Sequence, residues 1–159
     1  MKKVSIIVLI LILVGIVVYY FSDTKSYTFT ADVDGVSFDA GAAYATYTAG
    51  WLDVNAAQRN SEGMKMISIH LYCSSTGSIT LNSDDPELGG GASYAFGKTK
   101  DRLTIFGTSS SSTGRVTVSA LDTNAEQVSG TFEYRAIQTF PAGSRVVKVT
   151  GSFEDIPIR

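Results

Sequence analysis

VSGTFEYRAI, residues 128–137, decides the fold. Val128, Gly130, Phe132, Tyr134 and Ala136 alternate with Ser129, Thr131, Glu133 and Arg135. Successive side chains of an extended strand point to opposite faces, so this pattern gives one apolar and one polar face. The neighbouring RVVKVTGSFEDI, residues 145–156, repeats the pattern with Val147, Val149, Gly151 and Phe153 on one face. FPAGS, residues 140–144, is the turn between them. Glu133, Arg135, Lys148 and Glu154 then face outward and are expected to pair across the two strands, each pair contributing about 0.2–1 kcal/mol to register.

Upstream, RVTVSALD at 115–122 alternates through Val116, Val118 and Ala120, and the polar TNAEQ, 123–127, follows it. In KMISIHLYC, 65–73, the residues Ile67, Ile69, Leu71 and Cys73 share one face, and Met66, Ser68, His70 and Tyr72 the other. YTFTADV, 27–33, sends Tyr27, Phe29, Ala31 and Val33 to one side; Asp34 and Gly35 form a two-residue hairpin turn, and VSFDA, 36–40, returns. Residues 44–48 read as a short edge strand, with further strands at 51–57, 78–81, 92–96 and 103–106. NSEG, 60–63, is a turn, whereas NSDDPELGGG, 82–91, is a long loop whose proline and glycines exclude regular pairing. TSSSSTG, 108–114, reads as a flexible hairpin tip. No stretch after Phe21 places apolar residues at helical spacing for three turns.

The expected architecture is therefore all-β, with nine to eleven antiparallel strands forming either a β-sandwich or a flattened β-barrel. Gly130 and Gly151, inside two long strands, point to bends or bulges where the sheet curls round its core, which favours closure.

The chain opens MKKVSIIVLILILVGIVVYYFS, residues 1–22. Residues 4–21 are almost unbroken in apolar character and, as a helix, span roughly 27 Å, close to the thickness of a bilayer's hydrocarbon core. Lys2 and Lys3 belong on the cytoplasmic side; Tyr19, Tyr20 and Phe21 suit the opposite interface. Bulky residues leave the apolar run, which fits an uncleaved anchor better than a removable signal peptide, and no cysteine follows to accept a lipid. The expected organisation is an anchor over residues 1–22 and a periplasmic or extracellular β domain over 23–159.

Without residues 1–22 the domain carries 11 basic against 15 acidic residues, a net charge of −4. Its basic residues are scattered singly, which argues against nucleic acid as a partner. The single cysteine, Cys73, follows the apolar face of its strand and reads as a buried small hydrophobe; it excludes an intrachain disulfide.

TFTADVDGVSF (28–38), VTVSALD (116–122), VSGTFEYRA (128–136) and VTGSFEDIP (149–157), in this order, resemble a family of small cell-envelope lipoproteins of Bacteroidetes-type bacteria, a domain of unknown function. The resemblance covers about residues 27–157. It implies an all-β fold and an envelope location, and supplies no catalytic residues. Family members are commonly lipid-anchored through an amino-terminal cysteine; here the apolar segment 4–21 stands in its place.

Candidate chemistry is sparse. Asp32, Asp34 and Asp39 surround a glycine but lack the spacing and the distant glutamate of a calcium loop, and a hairpin accounts for Asp34 and Gly35. Ser83, Asp84, Asp85 and Glu87 are loop oxygens of the same weak kind. His70 is the only histidine and lies on a polar strand face, so a multi-histidine zinc site is excluded within one chain. No G-x-S-x-G elbow is present, and Ser109 to Ser112 are a serine run without a positioned base. GASYAFGKTK, 91–100, has the wrong spacing for a phosphate loop. Trp51, Tyr44, Tyr47 and Tyr94, near turns and carrying polar handles, are the candidates for ligand contact.

These residues predict no catalytic, cofactor-binding or metal site. They predict a non-enzymatic binding or structural module of the envelope, joined to the membrane by its anchor and to an envelope protein, glycan or small ligand by its β domain. The alternatives are a calcium-dependent adhesin or enzyme using the acidic loops, and a lipocalin-like carrier of a small apolar ligand.

Overall fold

The computed structural model describes residues 26–61, 63–81, 90–98, 102–109 and 113–159. The apolar segment 4–21 expected to form a helix, the acidic loop residues Ser83, Asp84, Asp85 and Glu87, and Ser110, Ser111 and Ser112 lie outside them. Among the described residues no helix is long and apolar enough to cross a membrane.

Among the described residues eleven strands form: β1 (Thr28–Val33), β2 (Val36–Asp39), β3 (Ala42–Thr48), β4 (Trp51–Asn60), β5 (Gly63–Tyr72), β6 (Gly77–Leu81), β7 (Gly90–Gly97), β8 (Leu103–Gly107), β9 (Gly114–Asp122), β10 (Gln127–Phe140) and β11 (Val146–Pro157). They make one sheet in the order β2-β1-β11-β10-β9-β6-β7-β5-β4-β3, with β8 pairing both β10 and β7. The alternation in VSGTFEYRAI holds: Val128, Gly130, Phe132, Tyr134 and Ala136 are buried. Phe29, Phe38, Leu52, Ile67, Leu71, Phe106, Phe153 and Ile156 are among their partners in a single core cluster that fills the space the sheet encloses.

The all-β expectation stands, whereas closure into a clean barrel does not. A barrel requires its first and last strands to share a ladder. Among the described residues the sheet ends are β2, which pairs only β1, and β3, which meets the tail of β11 at one parallel bridge between Ala45 and Ile158. The Arg159 N–H donates to the Ala45 carbonyl at 2.9 Å beside that bridge. A second thin place separates β6 from β7, joined at the single pair Leu81–Gly90.

Two local readings change as well. TSSSSTG is not a hairpin tip, because β8 and β9 do not pair with each other: both run antiparallel to β10, β9 along Gln127 to Tyr134 and β8 from Ile137 to Phe140. One long edge of β10 is thus covered by two successive strands with residues 108–113 between them. Gly90 and Gly91, read as loop, begin β7 and pair with Leu71 and His70. A Cβ on Gly90 would stand 2.1 Å from the His70 carbonyl oxygen, so the missing side chain is what allows pairing this close.

Of the two interior glycines, Gly130 sits at register shifts against both β9 and β11, as a bulge requires. Gly151 lies in unshifted pairing with Ala31 and Phe132, and its role is to admit a ring instead of a bend. Among the four outward charges, Lys148 and Glu133 form a 3.1 Å ion pair. Arg135 stands directly opposite Lys148, a like-charged neighbour that the strand alternation alone does not reveal.

Candidate functional site

The hairpin of β3 and β4 turns at Ala49 and Gly50, both at positive φ (52° and 86°), and this two-residue turn sets Thr48 opposite Trp51. The next turn then aligns Trp51 with Tyr72 and Asp53 with His70 across β4 and β5. Since Leu52, Val54, Ile69 and Leu71 are buried, their alternates Trp51, Asp53, His70 and Tyr72 lie together on the outer face.

There the Trp51 and His70 rings stack at 4.5 Å between centroids and 9° between planes. Tyr72 meets Trp51 edge-on at 5.2 Å and covers Gly50, where a Cβ would fall 2.8 Å from its ring. One Asp53 oxygen lies 2.5 Å from His70 Nδ1; the other accepts a long 3.5 Å hydrogen bond from the Thr46 hydroxyl. Asp53 so fixes the imidazole against the indole. Tyr44, opposite Asn55, is 43% exposed and Tyr72 46%, so two phenol rings stand open at either end of this face. Along β3, the four steps from Tyr44 to Thr48 cover about 13 Å, so the patch is long enough for an extended ligand.

Of the four aromatic candidates, Trp51 and Tyr44 belong to this face. Tyr47 and Tyr94 do not: Tyr47 packs against the core and donates its hydroxyl to the Cys73 carbonyl at 3.1 Å, and Tyr94 is buried among Phe96 and Phe106. Both sit on the inward alternate of their strands, a matter of register that nearness to a turn does not decide. Sequence reasoning missed Asp53 and Tyr72 as site members; the register of the β4–β5 hairpin, closed by the Asn60–Gly63 pair within the NSEG stretch, is what aligns them with His70 and Trp51.

The acidic residues of the first hairpin serve the backbone. Asp32 Oδ1 accepts from the Gly35 N–H at 2.7 Å, and Asp34 Oδ1 accepts from the Lys148 N–H at 2.8 Å, prolonging the ladder between β1 and β11. Asp39 is exposed on β2. Among the described residues no three histidine, cysteine, aspartate or glutamate side chains come together as a metal cluster. Residues 91–97 of the GASYAFGKTK stretch belong to strand β7, Gly90–Gly97.

The buried ionisable groups are structural. Cys73 is buried, and desolvation pushes its thiol up from the ordinary range. Tyr134, 1% exposed, donates its hydroxyl to the Ser93 carbonyl at 3.0 Å. Burial first, and then the neighbouring Tyr94, hold its phenol far above the ordinary tyrosine range. Tyr94 is also raised by burial, offset by the Arg145 guanidinium, which lies 5.7 Å over the Phe106 ring.

The profile of the family described as Domain of unknown function (DUF6252) matches residues 25–157. No curated protein and no solved structure matches the chain.

Proposed function

The chain belongs to the family Domain of unknown function (DUF6252), and on that premise we propose that it is a non-enzymatic, saccharide-binding module of the bacterial cell envelope. In this reading residues 1–22 anchor it in the cytoplasmic membrane with the amino terminus inside, and the β domain faces the periplasm or the exterior. The 18-residue apolar run, the two lysines before it and the likeness to envelope lipoproteins of Bacteroidetes-type bacteria support that placement.

The observation that carries the binding role is the outer face of β3, β4 and β5: exposed Tyr44 and Tyr72 rings flank Trp51, with Asp53, Asn55 and His70 between them. Aromatic rings present flat apolar area at small entropic cost, and adjacent carboxylate, amide and imidazole groups supply acceptors and donors for hydroxyls. A saccharide has both surfaces, an apolar C–H face and a rim of hydroxyls.

A glycan array probed with the full chain tests this reading. The expected result is retention of a defined set of envelope polysaccharides by the native protein and its loss in Trp51→Ala and Tyr72→Ala, at unchanged melting temperature. Retention unaffected by both substitutions overturns the assignment of this face. Protease added to intact spheroplasts tests the placement: digestion of the carboxyl-terminal portion is expected, and its survival until lysis overturns the orientation.

A further inference from the structure

One outer row of the sheet is apolar across six strands. Reading the pairings across from β3 gives Ala42, Ala57, Met66, Ala95, Ile105 and Phe140, on β3, β4, β5, β7, β8 and β10 in turn. Ala43, Ala56, Ile67, Tyr94 and Phe106, their neighbours along the strands, are buried in the core, so the row stands on the outside. Ala42 is exposed, Ala57, Met66 and Ile105 are half-buried, and Phe140 is 59% exposed. The next row towards the β3–β4 turn changes character, with polar groups on Tyr44, Asn55, Ser68 and Ser93. Five strand spacings make the apolar row about 24 Å long and a two-residue repeat makes it about 7 Å wide, on the order of 170 Å². Ile137 and Val146, paired across β10 and β11, widen it at the Phe140 end.

The point at which the chain enters the domain indicates what this row meets. Tyr27 packs against the core and its hydroxyl accepts the Ala43 N–H at 3.4 Å, so the chain arrives beside Ala42, the first residue of the row. Tyr27 follows Phe21, the end of the apolar run, by six residues, which reach at most about 20 Å. A second copy is a poor occupant, because the row offers far less than the roughly 800 Å² per partner of a stable interface. A surface to which the chain is already tethered needs less, since a short tether supplies a high effective concentration. We propose that this row is the domain's contact with the lipid bilayer that holds residues 1–22, with Phe140 at the boundary between headgroups and acyl chains, where apolar and aromatic side chains of surface-bound proteins lie. The inference rests on the anchored placement given above. Along β4, Trp51 is six residues, about 20 Å, from Ala57, so the Trp51 and Tyr72 rings stay clear of the lipid.

Ala42→Cys, Phe140→Cys and Thr131→Cys, each made singly in the full chain, test the contact in vesicles of phosphatidylethanolamine and phosphatidylglycerol. Each carries an environment-sensitive fluorophore, while the buried Cys73 stays unlabelled. Thr131 is the control, exposed on β10 nine residues from Phe140. The labels at 42 and 140 are expected to shift their emission to the blue and to be quenched by lipids bearing a nitroxide near the headgroup; the label at 131 is expected to keep its emission in water. Flotation of the chain with the vesicles reports the anchor separately. Flotation with either row label unquenched overturns the bilayer contact and leaves the anchor standing, whereas failure to float overturns both. A blue shift without nitroxide quenching puts protein on the row, a second copy included, and overturns the proposal, as does equal quenching at 131.

Discussion

Gly130 and Phe153 stand opposite each other across β10 and β11, and the Phe153 ring occupies the place a Gly130 side chain would take, 2.6 Å from its would-be Cβ. Two pairs along, the relation is reversed: Phe132 faces Gly151, its ring 2.5 Å from that glycine's would-be Cβ. The segments SGTF (129–132) and TGSF (150–153) run antiparallel, so each glycine receives the other strand's phenylalanine. With Phe29 tilted against Phe132 at 5.4 Å and stacked on Phe153 at 6.3 Å between centroids, this exchange fixes the register of the two longest strands.

Gly151→Ala is therefore expected to destabilise the domain by about 1–3 kcal/mol, since the new methyl meets the Thr30 carbonyl and the Phe132 ring in a filled core. Gly35→Ala is the informative comparison: its φ is +83° with nothing within 4 Å, so conformational strain alone, about 1–2 kcal/mol, opposes it. Phe132→Leu added to each is expected to recover stability for Gly151→Ala and none for Gly35→Ala in urea titrations.

Tyr134 makes stability fall in alkali. Its folded phenol titrates far above the unfolded value of 10.0, so the unfolded chain releases its proton first. The contribution is whole below about pH 10 and is lost progressively above it. Tyr134→Phe removes the hydroxyl donated to Ser93, costing about 1–2 kcal/mol at neutral pH, and flattens the decline above pH 10. Melting temperature measured across the alkaline range checks both effects.

Cys73 is expected to be inert to a thiol reagent in the folded protein, because it is buried and its thiol is held above the ordinary range. One equivalent should react after denaturation, and rapid labelling at neutral pH under native conditions would contradict the burial.

Asp53→Ala releases His70 from an exposed pair and is expected to cost less than about 1 kcal/mol in stability. The same change frees the imidazole from its stacked position on Trp51, so a shift in the single tryptophan's fluorescence should accompany it without a change in the unfolding midpoint.

Period-two alternation by itself determined that the described domain is all-β, which side of each long strand is buried, and that Asp34 and Gly35 turn a hairpin, because pleat and turn chemistry are local. Burial of Cys73 and the outward aim of His70 follow from the same rule. Only the tertiary structure decided which strands meet. Residues 108–114 read as a hairpin tip because polar residues interrupt two strands, yet both strands pair β10, and partner choice rests on contacts far apart in sequence. For that reason the meeting of Asp53 with His70 and of Gly130 with Phe153 was fixed by register and strand order, to which side-chain alternation along a single strand is blind.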